Sequence, residues 1–419
     1  MRKAIIIGGG PAGISAALRL QQMTDICSTI YELRAEPTTL GGAVGIFSNG
    51  LRLFHRLGLY EELAARGSSE STMTLHSLNG GIITSRDLVG AVKEQNGGFG
   101  YLRIKRPELL EVLMTAAKEA QIPIHFNKNL VNITETSSSV KVTFSDGSTD
   151  EADILFGCDG IHSAVRKLYV DPSQTPGYTG FAGIGAIITR PESIKSSAND
   201  LKGINATLTT EGGIGVMSCS VEGDQLFWGV SKEVPLPASG DSRDGWEVKR
   251  EKEVADFKNN LLELLKNARG EWGVVLRSIV NETTAVKFYP TFELPSGGKW
   301  HKGRCLLLGD AAHAMSPHAG QGLSQAVEDV FMISRLLADP SRPLENVFTT
   351  YDAVRRPRVN EITKLAASNS DVRRKTNEWG LWFKELVIWI YFAGSRLIGY
   401  KTGRAMERQL LYDVDEAEV

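Results

Sequence analysis

Residues 3–20 read KAIIIGGGPAGISAALRL: a short apolar run rich in isoleucine, a cluster of glycines and the beginning of an apolar periodic segment. This order is typical of a β-strand, a tight turn and an α-helix with glycines in the spacing G-x-G-x-x-G. In that arrangement Gly8 permits the turn, Gly10 lets the backbone approach a pyrophosphate, and Gly13 lets helix and strand pack closely. The start of the helix adds unpaired amides that suit a phosphate. The stretch therefore predicts a dinucleotide-binding unit, with an ordinary tight turn as the alternative.

A carboxylate follows at the distance at which such units hold a ribose. Glu32 ends the apolar run 29–31, about 20 residues after the glycines. A carboxylate at the end of a second strand can accept hydrogen bonds from ribose hydroxyls. The strand before the glycines, the helix after them and this acid together favour a dinucleotide site over a turn without a ligand.

A second glycine-rich stretch, GDAAHAMSPHAGQG at 309–322, follows the apolar run 305–308 and leads into a periodic helix over 321–337. It offers one acid, Asp310, and several backbone amides at the start of a helix, which suits a phosphorylated, polar cofactor. Asp159, in another strand-to-loop transition, offers a similar acid. Both aspartates are also favoured helix N-cap residues, and that is the alternative interpretation of each.

Composition narrows the class of protein. A chain of 419 residues with 42% hydrophobic and 23% charged residues suggests a globular protein of two domains. The net charge of −2, without a large basic block, argues against a nucleic-acid partner. The four cysteines are scattered and form no C-x-x-C pair, so neither a disulfide framework nor a zinc site is predicted. The chain enters its first strand directly, which leaves no room for a signal peptide, and we expect a cytoplasmic location.

The pattern of elements predicts an interleaved α/β fold. Short strand-like runs over 177–286, broken by one amphipathic helix over 254–267, indicate an antiparallel sheet, and Asn79-Gly80 predicts a hairpin turn. We expect a Rossmann-type nucleotide-binding domain interleaved with an antiparallel-sheet substrate domain, followed by C-terminal helices, with the small-molecule site in the cleft between the domains. The predicted segments are 1–72, 104–176 and 287–365 for the nucleotide-binding domain, 73–103 and 177–286 for the substrate domain, and 366–419 for the C-terminal helices.

An aromatic-rich segment at 381–400 raises the question of a membrane. Its uncharged part, 386–395, is far shorter than the roughly 20 residues that span a bilayer. No membrane-spanning segment is therefore predicted. The segment is expected to form a helix packed on the main body, with a peripheral membrane contact or a partner contact as the alternative.

Three motifs stand in order along the chain: GGGPAG at 8–13, CDGIHSAVR at 158–166 and GDAAHAMSPHAGQG at 309–322. In this order and spacing, residues 1–365 resemble the single-component flavoprotein monooxygenases, the class of para-hydroxybenzoate hydroxylase, kynurenine monooxygenase, urate hydroxylase and zeaxanthin epoxidase. The nucleotide-binding domain would then be an FAD-binding domain.

The resemblance implies FAD as the cofactor and assigns the residues that hold it. Glu32 would bind ribose, Asp159 and Asp310 the pyrophosphate and ribityl regions, and the segment from Pro317 to Leu323 the flavin ring. The residues expected to bind FAD are Gly8, Gly10, Gly13, Glu32, Gly45, Arg106, Asp159, Asp310, Pro317, Gly320, Gly322 and Leu323. Two positions depart from the family: Leu33 stands where Arg or Lys is frequent, and Ser324 where Asn is frequent.

The resemblance also implies a reaction. NADPH or NADH, bound transiently, would reduce FAD; O2 would add at flavin C4a, and the hydroperoxide would hydroxylate or epoxidise a small aromatic, polyketide, alkaloid or terpenoid substrate, as in secondary metabolism. No catalytic side chain and no metal are predicted, because the flavin carries the chemistry. His313 and His318 are expected to shape the flavin loop.

Two alternatives stay open. A flavin-dependent halogenase or reductase shares the first glycine motif, but no W-x-W-x-I-P segment accompanies it here. A non-catalytic flavin-binding protein would use the aromatic C-terminal helix for interaction. Phe227 and Trp228 alternate on one predicted strand, so only one of them faces a pocket.

Overall fold

The first strand, Arg2–Ile7, lies inside a six-stranded sheet in which all neighbouring strands are parallel except the edge pair His301–Lys302 and Cys305–Leu307. Its residues 4–7 are buried, as expected for a strand covered on both faces. The strand pairs in parallel with Ile26–Tyr31 on one side and Ile154–Gly157 on the other, and the helix Pro11–Met23 makes the first crossover. The order across the sheet is His301–Lys302, Cys305–Leu307, Ile154–Gly157, Arg2–Ile7, Ile26–Tyr31, Ile124–His125.

These elements belong to a computed structural model that describes residues 1–38, 41–90, 92–195, 201–235, 247–248, 251–397 and 404–418. Its α-helices span Pro11–Met23, Ser48–Arg56, Tyr60–Ala64, Val92–Gln95, Arg106–Glu119, Glu251–Leu264, Gly270–Glu282, Asp310–His313, Gly322–Leu337, Leu344–Asp371, Glu378–Leu397 and Arg404–Leu411. Two smaller sheets pair Ala43–Phe47 with Tyr101–Lys105, and join Thr149–Ala152, Val140–Phe144 and Leu130–Glu135.

An eight-stranded sheet, here called the large sheet, forms the other half of the molecule. Its order is Glu247–Val248, Lys287–Glu293, Gly177–Thr189, Gln225–Glu233, Gly212–Ser218, Ile204–Thr209, Thr72–His76, Ile82–Asp87. All neighbours run antiparallel except Ile204–Thr209 and Thr72–His76, which are parallel. The α/β architecture expected from the sequence, a Rossmann-type unit with a second sheet, is confirmed. The domain boundaries drawn above remain a prediction.

One face of the large sheet packs on two helices, Glu251–Leu264 and Gly270–Glu282. The sequence predicted only one helix in this region, so that interpretation was wrong. The second helix carries several β-branched residues and Gly273, which lower its intrinsic helix propensity. It forms because Trp272, Val275 and Ile279 share one face and are buried with the sheet's Trp228.

The aromatic segment near the end forms the helix Glu378–Leu397, and residues 398–400 of the predicted 381–400 helix lie outside the described residues. Glu385 on this helix accepts a hydrogen bond from the Ser77 hydroxyl at 2.8 Å, which ties it to the hairpin loop. Several of its aromatic side chains are more than half exposed, Trp379 most of all at 79%. Among the described residues, no helix is long and apolar enough to cross a membrane.

Arg103, which is fully buried, joins the first half of the chain to the large sheet. Its Nε donates to the carbonyl oxygen of Ser218 at 2.7 Å, and its two terminal nitrogens donate to the carbonyls of Glu70 and Lys202 at 2.7 and 2.5 Å. Burial lowers the pKa of its guanidinium. A buried cation held by carbonyl oxygens from three segments fixes these segments in one arrangement, because each carbonyl loses its donor if the side chain is removed.

We expect Arg103→Met to lower the free energy of unfolding by about 3 kcal/mol, since three buried carbonyls lose a charged donor. Urea unfolding followed by tryptophan fluorescence measures the change. Arg66→Met is the matched control, because the ion pair of Arg66 with Glu111 at 3.0 Å is partly exposed and is worth at most about 1 kcal/mol. Equal unfolding midpoints for the two variants would contradict the assigned role.

Candidate functional site

The glycine turn at 8–13 is held by close backbone packing. Gly8 has φ +109°, and a Cβ atom there would lie 2.4 Å from the carbonyl oxygen of Cys158. A Cβ at Gly13 would lie 2.0 Å from the carbonyl oxygen of Gly8. At Gly10, by contrast, a Cβ would meet no protein atom within 4 Å. The turn therefore leaves open space in front of the N-terminus of Pro11–Met23, where an anion is favoured.

Glu32 is half-buried beside this turn. One carboxylate oxygen accepts the amide of Gly9 at 2.7 Å, and the other accepts the amide of Arg34 at 2.9 Å. Each oxygen keeps a second lone pair for a further donor, which is what a ribose hydroxyl requires. Leu33, one of the two departures from the family pattern, is 48% exposed on the surface.

Asp159 follows the strand Ile154–Gly157 and caps the next turn. Its Oδ2 accepts the amides of Ala164 and Val165 at 2.6 and 3.2 Å, so the N-cap interpretation describes this oxygen. In the described part of the chain, its Oδ1 is buried without a hydrogen-bond partner. Burial raises the pKa of the Asp159 carboxyl. A buried oxygen of this kind is suited to a donor from a bound molecule.

Arg166 connects the second motif to the third. Its guanidinium donates to the carbonyl oxygen of Ala311 at 2.7 Å and also hydrogen-bonds the carbonyl of Ile161. The side chain is 2% exposed. The structure thus brings the 158–166 turn and the 309–322 loop together, although more than 140 residues separate them in sequence.

Asp310 and Arg106 line a cavity between these segments. Both side chains are exposed, yet desolvation is the largest influence on each: it raises the pKa of Asp310 and lowers the pKa of Arg106. Side chains that are accessible while surrounded by protein form the wall of a cavity. The positive charge of Arg106 acts on Asp310, and the Arg106 amide donates to the carbonyl of Gly42 at 3.0 Å. The cavity therefore offers one carboxylate and one guanidinium to a polar ligand.

The third motif continues beside Asp310. Pro317–Ala319 forms a single 3₁₀ turn, Gly320 adopts φ +65°, and the helix Gly322–Leu337 begins immediately afterwards. A Cβ at Gly322 would lie 4.0 Å from Asp310 Oδ1, so the start of this helix borders the same cavity. The first turn of a helix leaves its amides without intrahelical partners. Leu323 packs against the main core, and Ser324, the second departure from the family, is fully buried.

Gly45 lies on the strand Ala43–Phe47 next to this cavity. A Cβ there would come within 2.3 Å of the Tyr101 hydroxyl, so packing alone already requires glycine. Its expected contact with the cofactor stays a prediction.

A buried ion network that the sequence did not predict anchors the loop at 309–322. Asp329 Oδ2 accepts the amide of Gly309 at 2.9 Å and the Nε2 hydrogen of His313 at 2.6 Å. Asp329 Oδ1 accepts from Arg355 Nε at 2.8 Å, and Arg355 also donates to Glu328 at 2.6 Å. The sequence did contain signs of this network: two adjacent acids, Glu328 and Asp329, interrupt the apolar 321–337 segment, and Arg355 lies in YDAVRRP at 351–357. His313 thus fixes the loop through its bond to Asp329, as expected of a residue that shapes the loop.

The large sheet presents one face to the cavity. Trp228 is 1% exposed, and its Nε1 donates to Thr283 on the opposite, helix-covered face. Phe227 therefore lies on the cleft side, where its ring fills the space that a Cβ at Gly42 would need. On the same face Ser231 hydrogen-bonds His318 Nε2 at 2.9 Å. The sheet and the 309–322 loop meet through this bond.

His318 is held on both ring nitrogens. Its Nδ1 lies 2.6 Å from the Ser370 hydroxyl, and that of Ser316 is 2.9 Å away. Burial, followed by the nearby charge of Arg373, lowers its pKa to about 4, so the imidazole is neutral at pH 7. An imidazole that is hydrogen-bonded on both ring nitrogens orients the loop, in agreement with the shaping role.

Comparisons with known proteins agree with this geometry. A family model described as "FAD binding domain" matches residues 1–366. A 6-hydroxynicotinate 3-monooxygenase of Pseudomonas fluorescens is 25% identical over 90% of this chain and 93% of its own length. An FAD-dependent urate hydroxylase of Mycolicibacterium vanbaalenii is 27% identical over 92% of each chain. The structure of Klebsiella pneumoniae HpxO complexed with FAD and uric acid superposes with a TM-score of 0.77 at 21% identity, over 99% of this chain and 96% of that one. The resemblance to flavoprotein monooxygenases and the expected fold are confirmed.

Proposed function

This chain belongs to the FAD-binding-domain family of flavoprotein monooxygenases, and we propose that it uses NADPH or NADH and O2 to hydroxylate a small aromatic molecule. The observation that carries the proposal is the convergence of the three motifs: Gly8 packs against the carbonyl of Cys158, and Arg166 donates to the carbonyl of Ala311. The relatives named above are a hydroxynicotinate monooxygenase and a urate hydroxylase, which favours a flat, oxygen-bearing ring as substrate. Epoxidation and the polyketide, alkaloid and terpenoid classes remain predictions of the sequence.

The residues present fit FAD. Gly10 leaves the space that a pyrophosphate needs, Glu32 keeps lone pairs for a ribose, and Asp159 has a buried oxygen without a partner in the described chain. Arg106 and Asp310 face the cavity in which a ribityl chain would lie. When bound, reduced flavin activates O2 and supplies one oxygen atom to the substrate. The net change is NAD(P)H, H⁺, O2 and substrate–H to NAD(P)⁺, water and substrate–OH; the flavin hydroperoxide expected from the resemblance stays a prediction.

The protein itself would contribute position, electrostatics and exclusion of water. The amides at the start of Gly322–Leu337 carry the positive end of a helix dipole and would stabilise negative charge on a reduced flavin. Neutral His318 holds the loop against the sheet through its bond with Ser231. Phe227 and the other half-buried side chains on the cleft face of the large sheet would exclude water from the reacting ring.

The test is the visible spectrum of the purified protein, followed by NADPH and NADH oxidation with aromatic candidates present. We expect a flavin spectrum, and oxidation that a ligand stimulates with formation of a hydroxylated product. A strict halide requirement for product would move the assignment to a halogenase. Tight flavin with oxidation that no ligand stimulates would favour a reductase or a binding role. A colourless protein that FAD cannot reconstitute would overturn the proposal.

A further inference from the structure

Arg373 follows the long helix Leu344–Asp371 and reaches across to the large sheet. Its Cγ and Nε lie 3.4 and 3.5 Å from the place where a Cβ of Gly213 would stand. One terminal nitrogen donates to the carbonyl oxygen of Asn369 at 2.5 Å. Within the described part of the chain, Arg373 forms no ion pair, and burial alone shifts its pKa, downward.

The next residue provides a contrast. Arg374 is exposed and pairs with Asp371 at 2.8 Å and with Glu233 at 3.0 Å. Of two adjacent arginines, the exposed one has two carboxylate partners, and the half-buried Arg373 has none among the described residues. Burying a charge without a partner is costly, so an arginine in this position is suited to an anion that arrives from outside the chain.

The position of Arg373 relative to the loop follows from strand register. Gly213 lies directly opposite Ser231 on the neighbouring strand, and the Ser231 hydroxyl bonds His318. Ser370, one helical turn before Arg373, bonds the other nitrogen of His318. The guanidinium is close enough to His318 to lower its pKa. Arg373 therefore lies beside His318, between the 309–322 loop, which is expected to border the flavin ring, and the cleft face of the large sheet.

The sheet face beside Arg373 is rich in glycine. Glycines occupy positions 213, 215 and 229 on two adjacent strands, and a Cβ at Gly215 would meet nothing closer than 3.7 Å. At the glycine positions a flat ring can lie close to the backbone, flanked by Met217 and Phe227 on the same face. A planar guanidinium at its edge matches a carboxylate with two parallel hydrogen bonds.

We propose that Arg373 binds the carboxylate of the aromatic substrate, which makes this enzyme selective for ring acids over their neutral counterparts. The inference rests on the proposed function and adds the anionic group and the residue that recognises it. Arg373 is a specificity residue in this proposal and takes no part in oxygen transfer.

The experiment compares acids with their neutral isosteres on the FAD-loaded protein. Perturbation of the flavin spectrum gives the Kd of 4-hydroxybenzoate and 4-hydroxybenzamide, and of 6-hydroxynicotinate and its amide. We expect the wild-type protein to bind at least one acid about 10–100-fold more tightly than its amide, the worth of a charge-assisted hydrogen-bonded pair. Arg373→Gln should remove this preference and leave amide binding unchanged, and Arg374→Gln should retain it. FAD content of each variant verifies that it folds.

Arg373→Lys keeps the charge but loses the planar fork, so it should retain part of the preference, and it serves as the readout if the glutamine variant does not fold. Equal binding of acids and amides by the wild-type protein would overturn the inference. Equal weakening of both by Arg373→Gln would do the same, since it indicates a purely structural role. In either case bound flavin and oxidation stimulated by a neutral ligand would leave the proposed function standing, whereas loss of both would count against the function itself.

Discussion

Gly10→Ala is expected to leave the fold unchanged and to weaken FAD binding by about 100-fold, close to 3 kcal/mol. The added methyl group meets no protein atom within 4 Å, and the backbone at φ −81°, ψ −176° accepts alanine without strain. It would instead occupy the space in front of the helix Pro11–Met23, where the pyrophosphate is proposed to lie. Thermal unfolding of the FAD-free protein and FAD titration measure the two effects separately.

Gly13→Ala provides the contrast, because its Cβ would overlap the carbonyl oxygen of Gly8 at 2.0 Å. For this variant the free energy of unfolding should fall by about 3 kcal/mol, the upper end of the typical cost of inserting a methyl group into a packed site. FAD binding should weaken as well. A Gly10→Ala protein that binds FAD like the wild type would show that the pyrophosphate does not approach this turn.

Asp329→Asn is expected to lower the free energy of unfolding by about 3–5 kcal/mol, the cost of breaking a buried ion pair. The carboxylate accepts from Arg355, His313 and the Gly309 amide, and an asparagine amide group cannot accept at both ends. Chemical denaturation of the FAD-free protein gives the value. Asp25→Asn, which breaks the solvent-exposed pair with Arg2, should change the free energy of unfolding far less, because exposed ion pairs contribute little to stability. A similar small loss in both variants would contradict the anchoring role.

The same carboxylate sets a pH dependence. Burial alone would raise the pKa of Asp329, but the charges of His313 and Arg355 outweigh it and hold the pKa at about 2, below the ordinary 3.8. The ionised Asp329 carboxylate therefore makes its full contribution to the free energy of unfolding above pH 3.8, and this contribution is lost as the pH falls from 3.8 through 2. Asp329→Asn should flatten this part of the stability profile. A wild-type profile as flat as that of the variant between these values would argue against the coupling.

Sequence patterns predicted those parts of the molecule whose conformation depends on residues close together in the chain. The turn at 8–13 needs glycine because neighbouring backbone atoms come within 2.4 Å of the missing Cβ, and spacing along the chain already expresses this requirement. The hairpin at Asn79-Gly80 was likewise predicted from its turn residues. The α/β fold followed from the order of such elements and from the family resemblance.

Features that depend on distant partners were beyond the sequence pattern. Period-two alternation showed that Phe227 and Trp228 face opposite ways, but only the packing of the helix Gly270–Glu282 identifies the buried face. The pairing of Asp329 with Arg355 joins two helices that no local rule aligns. No sequence pattern pointed to Arg373. It stands out only in the structure, where the adjacent Arg374 pairs with a carboxylate and Arg373 has no such partner among the described residues.

The strand Cys305–Leu307 has a consequence for how the protein is made. It pairs with Ile154–Gly157, whose partner residue Leu155 lies 150 positions before Cys305, and the Gly309 amide that follows it bonds Asp329. During synthesis the N-terminal βαβ unit therefore emerges long before its sheet can be completed, and the edge of Ile154–Gly157 stays open while the large sheet is being translated. An unpaired apolar edge of this kind is a template for aggregation. Ribosome-bound or truncated chains that end before Asp329 should accordingly depend on chaperones, and the nucleotide pocket can form only after Asp329 has been translated.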